Sequence, residues 1–374
     1  MLIGVPKEIK THEYRVGMTP ASVRELIGYG HSVIVQTSAG EGIGIADDTY
    51  RQAGAQLVDT AAEIFERADM IVKVKEPQPV ECKMLRSGQV LFTYLHLAPD
   101  PQQTELLQES GCIAIAYETV TSAANTLPLL APMSEVAGRM SIQAGAHALE
   151  KAQGGLGLLL GGVPGVASAD VVVLGGGVVG TQALRMAIGA EANVTVLDKS
   201  LQRLKELDAQ FGAKLNTIFA TTEMVERHVM SADLVVGAVL VPGGAAPKLV
   251  THEMLHQMRP GSVIVDVAID QGGCCESSRP TTHADPTYVV DGVVHYCVAN
   301  MPGGVPRTAA FALNNATLPF IVALANKGYR QAMLDDPHLM NGLNIFEGQI
   351  THPEVAKAFN KMYVSPQELL QSMQ

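Results

Sequence analysis

The chain has 374 residues, 47% hydrophobic and 17% charged, which is apolar mass enough for real cores and a length that suits two ordinary domains. Intrinsic disorder is thereby excluded. The formal net charge of −11 repels phosphate backbones and anionic membranes, so nucleic acid is not an expected partner. Cys82, Cys112, Cys274, Cys275 and Cys297 are odd in number and form no C-x-x-C pair with ligand-like neighbours. Neither a disulfide frame nor a metal site is read from them, and a reducing cytoplasm fits best. The first residues lack the long apolar run of a secretion signal, and none is expected. The longest uncharged stretch, 152–169, is broken by six glycines and Pro164, so a membrane helix is not expected there.

In chain order, short apolar runs alternate with amphipathic stretches. Strands are predicted at 2–5, 32–35, 70–74, 90–94 and 112–116, with helices at 20–29, 60–67, 80–85 and 101–109 between them. This is a βα wind around a mostly parallel sheet. The segment 127–132 interrupts the pattern, and Ser134 reads as the cap of a helix over 135–151 that leaves the lobe. A second wind starts at Asp170, with strands at 171–174, 193–197, 234–236 and 262–267 and helices at 179–190 and 201–210. Residues 309–326 have the apolar density of a buried helix, and the tail reads as helical to its end. The fold class is α/β, with two doubly wound parallel-sheet domains.

Val171-Val-Val-Leu-Gly175-Gly-Gly177-Val-Val-Gly180 places G-x-G-x-x-G after an apolar strand and at the mouth of a helix. Gly175 suits the tight turn, Gly177 the open approach of a pyrophosphate and Gly180 close helix packing. The helix start offers free N–H groups to phosphates. The next strand ends in Asp198, whose carboxylate can hold a ribose diol and repel a 2′-phosphate, which reads as NAD over NADP. The competing account makes the glycines a packing turn and Asp198 a helix cap. Arg203, one turn into the next helix, is either an adenosine contact or an exposed arginine.

Ligands in open α/β sheets collect at the carboxyl ends of strands. Lys75 and His96 close two strands of the first half, Arg15 lies in the long polar segment after the first strand, and Asp270 closes a strand of the second half. If the lobes face each other, the four converge. Arginine and lysine suit a small carboxylate, and histidine a mobile proton beside a hydride transfer. Lys73 competes with Lys75 for the role, and a lone strand-end histidine is often structural.

The motifs Arg15-Val-Gly-Met-Thr-Pro20, Lys73-Val-Lys75-Glu-Pro77, Leu95-His96-Leu97, Leu130-Ala-Pro-Met-Ser134-Glu-Val-Ala-Gly138, Gly161-Gly-Val-Pro-Gly165, Gly237-Ala-Val-Leu-Val-Pro242, Asp266-Val-Ala-Ile-Asp270, Ser278-Arg-Pro-Thr-Thr282 and Tyr296-Cys-Val-Ala-Asn300-Met-Pro302 run through the whole chain in order. Together they resemble the bacterial L-alanine dehydrogenases of the alanine dehydrogenase/transhydrogenase superfamily. The resemblance implies reversible, NAD-dependent oxidative deamination of L-alanine to pyruvate and ammonium. It assigns Arg15 and Lys75 to the substrate carboxylate, and His96 and Asp270 to catalysis. It draws NAD contacts from Ser134, Gly175, Gly177, Val178, Val179, Gly180, Asp198, Arg203, Ala220, Val239, Leu240, Val267, Ala268, Ile269, Asp270, Arg279, Val298, Ala299, Asn300 and Met301. Ala220 stands where the family often has serine, and Cys275 where an aromatic is frequent. The family also implies a Rossmann NAD-binding domain at 135–305 inserted into a flavodoxin- or Rossmann-like catalytic domain of 1–134 and 306–374, a hexamer, small-molecule partners and a cytoplasmic setting. Rival readings are a transhydrogenase NAD-binding component, whose Arg-Gln-Asp loop is not evident near 134–143, a saccharopine dehydrogenase, and a silent NAD sensor.

Overall fold

The computed structural model describes residues 1–239 and 246–372. It divides into two units, Met1–Met133 with Val305–Gln374, and Ser134–Gly304. Leu240 lies outside the described residues.

The first unit starts with β1 (Leu2–Val5), α1 (Pro20–Gly28), β2 (Ser32–Gln36), α2 (Asp47–Gln52), β3 (Gln56–Val58) and α3 (Ala61–Arg67). It continues through β4 (Met70–Val72), α4 (Pro79–Cys82), β5 (Val90–Thr93), α5 (Pro101–Ser110) and β6 (Ile113–Ala116). Helix α6 (Ala131–Ala148) crosses the unit boundary in sequence. The second unit holds β7 (Asp170–Leu174), α7 (Val178–Gly189), β8 (Asn193–Asp198), α8 (Leu201–Phe211), β9 (Asn216–Phe219) and α9 (Thr222–Ser231). Then come β10 (Leu234–Gly237), α10 (His252–Gln257), β11 (Val263–Asp266), β12 (Thr287–Val290) and β13 (Val293–Tyr296). The chain returns to the first unit with α11 (Pro306–Asp335), β14 (Leu343–Phe346) and β15 (Gln349–Ile350).

Strand order in the first unit is β15-β14-β6-β5-β4-β1-β2-β3, and in the second β12-β13-β11-β10-β7-β8-β9. Both sheets are doubly wound and parallel, except that β14, β15 and β12 pair antiparallel at the edges. In the second unit Val171, Val173, Val194, Val196 and Val265 pack with α7 and α8, while Val172, Leu174, Val235 and Ile264 pack with α9 and α10. A parallel sheet covered on both faces needs apolar residues at every strand position. That is why these strands read as unbroken apolar runs.

Three expectations fail. The tail is not helical throughout, because Leu343 to Phe346 adds a buried strand to β6; four apolar residues after a long helix carry no periodicity that separates strand from helix. Ser134 is not a cap: α6 begins at Ala131, since Pro132 suits a first turn, where no N–H is needed. Strands β4, β5 and β11 stop at Val72, Thr93 and Asp266, so Lys75, His96 and Asp270 stand beyond the strands they were expected to close. Helix α11 is long and apolar enough to span a membrane by composition. Within this unit it buries Ala310, Leu313, Ile321 and Leu324 in the core.

Candidate active site

In the first unit β2 and β3 lie on one side of β1, and β4, β5 and β6 on the other. Loops after β1 and β4 therefore diverge and leave a crevice at the switch point. Gly17 lets the first loop settle on β4, because a Cβ there would stand 2.4 Å from the Val72 carbonyl oxygen. Asn314 of α11 fastens the same loop. Its Oδ1 accepts from the Thr19 amide (2.9 Å), the Thr19 hydroxyl (2.8 Å) and the Ser22 hydroxyl (2.5 Å), and its Nδ2 donates to Gly17 O (3.1 Å).

Arg15, 2% exposed, is gripped by Glu13 in a two-pronged fork: Nε donates to Oε1 at 2.7 Å and Nη2 to Oε2 at 2.6 Å. Its Nη1 donates to the Met133 sulfur at 3.1 Å. Burial pushes the Glu13 carboxyl up, but the Arg15 hydrogen bonds and charge outweigh it and hold the pKa below the usual value. Lys73 is fully buried, and its Nζ donates to Glu8 (3.0 Å) and Glu81 (2.8 Å). Burial pushes its ammonium down, yet the two carboxylates raise it above the ordinary value. Lys73 is thus held by internal carboxylates, and Lys75, two residues on, is half-buried, with its carbonyl accepting from the Thr93 hydroxyl at 2.9 Å.

His96 adopts a left-handed backbone (φ 50) and leaves its side chain 46% exposed. Glu118 holds it there, accepting from the amides of His96 (2.6 Å) and Leu95 (3.2 Å), with an oxygen 3.9 Å from Nδ1. The ring stacks on buried Tyr94 at 5.9 Å and 7°. Tyr94 Oη donates to Leu129 O at 2.5 Å, and burial pushes its phenol up, so it stays neutral. Arg15, Lys75 and His96 thus share the first unit's strand ends, and Asp270 belongs to the second unit. Glu13, Glu118 and Asn314 were not read from sequence. Only the Glu13-x-Arg15 spacing offered a hint.

In the second unit the switch point falls between β7 and β10. Gly175 turns there with φ 97, its added Cβ 2.8 Å from Ala238 O and 3.2 Å from Val239. A Cβ on Gly180 would meet Gly175 O at 1.9 Å. Gly177 differs: among the described residues a Cβ there would meet nothing within 4 Å, and no side chain of theirs caps α7. The protein itself requires the first and third glycines, whereas the second guards open space at the start of a helix. That is the fit expected for a pyrophosphate.

Asp198 is not the cap of α8, which is Ser200. Its Oδ2 accepts from Gly176 N at 2.7 Å and its Oδ1 from Ser200 N at 2.8 Å. Arg203 is no free surface arginine: Nε donates to Gly176 O (2.7 Å) and Nη2 to the Thr181 hydroxyl (2.6 Å), bracing the turn. Ala220 N donates to Asp198 O at 3.0 Å, so Ala220 does lie beside that acid. Val178 is exposed and Val179 half-buried. A Cβ on Gly138 of α6 would be 2.2 Å from Val179 O, which brings Ser134, one turn earlier, toward the same helix start.

Val267, Ala268, Ile269 and Asp270 form a single tight turn after β11, with Ala268 and Ile269 buried and Asp270 exposed. Buried Asp266 organises it, accepting from the amides of Ala268 (3.1 Å) and Cys274 (2.8 Å) and the Ser278 hydroxyl (2.5 Å). The Cys274 and Cys275 sulfurs lie within 4.8 Å of that carboxylate. All five cysteines are buried free thiols. Val298 and Met301 are buried after β13, with Ala299 and left-handed Asn300 (φ 58) between them. Arg279 packs on the Tyr288 ring at 4.0 Å, and its amide donates to the Tyr288 hydroxyl instead of joining the glycine turn.

A glycine turn at the switch point of a wound sheet, closed by an acid on the next strand, marks the dinucleotide-binding α/β class. Residues 4–137 match the family described as Alanine dehydrogenase/PNT, N-terminal domain, and 141–353 its C-terminal domain. The alanine dehydrogenase of Halomonas elongata is 60% identical over 370 residues, 99% of this chain and 100% of that one. A solved L-alanine dehydrogenase superposes with a TM-score of 0.94 at 53% identity, covering 96% of this chain and 99% of its own. A transhydrogenase from Sinorhizobium meliloti reaches 0.82 at 26% identity, covering 94% and 99%. The chain belongs to the alanine dehydrogenase/PNT family.

Proposed function

We propose that the protein is an NAD-dependent L-alanine dehydrogenase that converts L-alanine, NAD⁺ and water into pyruvate, ammonium, NADH and a proton. The observation that supports the reading is the buried Arg15–Glu13 fork, which holds a cation in the loop after β1, next in the sheet to the strand whose loop carries Lys75. Arg15 and Lys75 would bind the carboxylate shared by alanine and pyruvate, the first through directed donors and the second as a point charge. Glu118 and Tyr94 hold the His96 residue, whose ring would exchange protons with the nitrogen or oxygen borne by the reacting carbon. Asp270 would position the water that attacks the imine and stabilise its cationic stages.

The nucleotide would lie across Gly175, Gly177 and Gly180, with the Val178 and Val179 amides toward its phosphates and Asp198 toward the adenosine ribose. The remaining contacts would come from Ser134, Arg203, Ala220, Val239, Leu240, Val267 to Asp270, Arg279 and Val298 to Met301. A nicotinamide held there would supply the acceptor, at C4, for the substrate α-hydrogen leaving as hydride. The reading assigns residues 1–134 and 306–374 to the catalytic domain and 135–305 to nucleotide binding, and extends to a cytoplasmic homohexamer acting on small molecules. Mass photometry checks the assembly.

The solved alanine dehydrogenase is 53% identical in sequence and the transhydrogenase 26%, which favours the first reading. The test is NADH formation at alkaline pH with alanine, serine, glycine, lysine or no substrate. Alanine turnover no higher than the blank overturns it.

A further inference from the structure

A cavity of about 310 Å³ lies in the first unit, between the loop after β4 and the start of α5, lined by Lys10, Glu76, Pro77, Asp100, Gln103 and Leu106 among others. That volume is about ten times a water molecule's share of the liquid, and it sits at the small end of pockets that hold organic ligands. Its polar groups are incompletely matched. Gln103 is only 5% exposed, yet among the described residues neither its Nε2 nor its Oε1 has a hydrogen-bond partner. Glu76 hydrogen-bonds Lys10 through Oε1, while its buried Oε2 has none. Buried polar atoms almost always find partners, so three orphans on one cavity wall call for an explanation. No other role holds Gln103 here: its amide caps onto Asp100 at 3.0 Å, and its side chain enters none of the contacts of the active crevice.

We propose that this cavity is a second ligand site, separate from the substrate crevice, for a small zwitterion that carries both an ammonium and a carboxylate, such as a free amino acid. The orphan acceptors, Glu76 Oε2 and Gln103 Oε1, suit the ammonium. Gln103 Nε2 and the Lys10 ammonium suit the carboxylate, and Asp100 adds negative charge on the ammonium side. An ammonium ion alone would leave the Gln103 donor unmatched and most of the volume unfilled. A purely anionic ligand would meet two carboxylates. The Cys82 thiol on the same wall donates to Pro77 O at 3.4 Å and is held protonated by burial, so the site binds without reacting. Glu76 directly follows Lys75, which would let an occupant act on the charge beside the proposed carboxylate site; only this last link rests on the proposed function.

The probe is β-alanine, which carries both groups but cannot yield a 2-oxo acid by loss of hydride from an α-amino carbon. Its binding to the full-length protein is measured by calorimetry, with and without saturating NAD and pyruvate, beside the alanine turnover of the same sample. The expected result is saturable millimolar binding that pyruvate leaves unchanged. Gln103→Met, which keeps the volume, and Glu76→Gln should each weaken it about tenfold, as loss of one or two hydrogen bonds to charged groups does. Melting midpoints without ligand and the alanine KM of Gln103→Met should stay at the parent values. Absence of saturable binding, displacement by pyruvate, or undiminished binding in both variants overturns the proposal, whatever the turnover assay returns.

Discussion

The two switch points perform the same topological task with different materials. In the second unit the proposed ligand place is made from backbone: a forced left-handed glycine, a close approach at Gly180, a helix start without a side-chain cap and one acid. In the first it is made from paired charges, some near in sequence and some far: Arg15 with Glu13, Lys73 with Glu8 and Glu81, and His96 beside Glu118. Shape built from backbone tolerates little local change but needs few partners. Charge built from side chains needs every partner present, because a buried ion left alone is costly.

Variants can break this division. The largest effect is expected for His96→Ala, which should lower alanine turnover by about 10²–10⁴-fold while leaving the melting midpoint and NADH affinity in place. Retained activity removes His96 from proton transfer. Glu13→Ala removes the carboxylate that forks the buried Arg15 guanidinium and should cost about 3–5 kcal/mol in denaturant unfolding, with a raised KM for pyruvate. If stability and KM are both unchanged, the fork does not organise the crevice. Gly177→Ala tests the other unit. With space open above it, the folded protein should keep its melting midpoint while NADH affinity falls about tenfold through contact with the phosphates. A drop in stability instead would make the glycine a packing residue.

Asp198→Asn keeps the side chain's size and removes its charge, so the preference for NADH over NADPH should relax by about tenfold, read from the ratio of kcat/KM values. An unchanged ratio removes the acid from cofactor choice. The smallest effect is on pH. Burial holds the His295 imidazole below its ordinary 6.5. As pH falls through 6.5 the unfolded chain takes up the proton before the folded one does, so stability declines on the acid side and is full above it. His295→Gln should flatten the melting-temperature profile below that pH, and an equal slope in both proteins argues that other groups carry it.

The same contrast explains what could be read in advance. The α/β fold, the glycine turn and Asp198 were legible because each signal sits within one βα unit of contiguous sequence. Strands β3, β9, β12, β13, β14 and β15 were not, since two to four residues carry no period. The helix start at Ala131 was masked by Ser134, a good cap residue in the wrong place. Arg15, Lys75 and His96 could be picked out as residue types at strand ends, yet Glu13, Glu118 and Asn314 could not. Their meaning lies in a partner, and single-sequence patterning does not encode partnership across a fold. Lys73 and Lys75 look alike in the sequence; only the two carboxylates that enclose Lys73 separate them.

Asn314 ties the loop that carries Arg15 to a helix 295 residues further along the chain. During synthesis the first sheet's strands β1 to β6 can pair long before that helix exists, but the loop remains untied until α11 has emerged. A nascent or truncated chain ending before residue 306 would therefore possess the strands, the arginine and the glycine turn without the brace on the Arg15 loop. If Arg15 binds substrate as proposed, competence to bind it would arrive late in biogenesis, after the second unit has been translated in full.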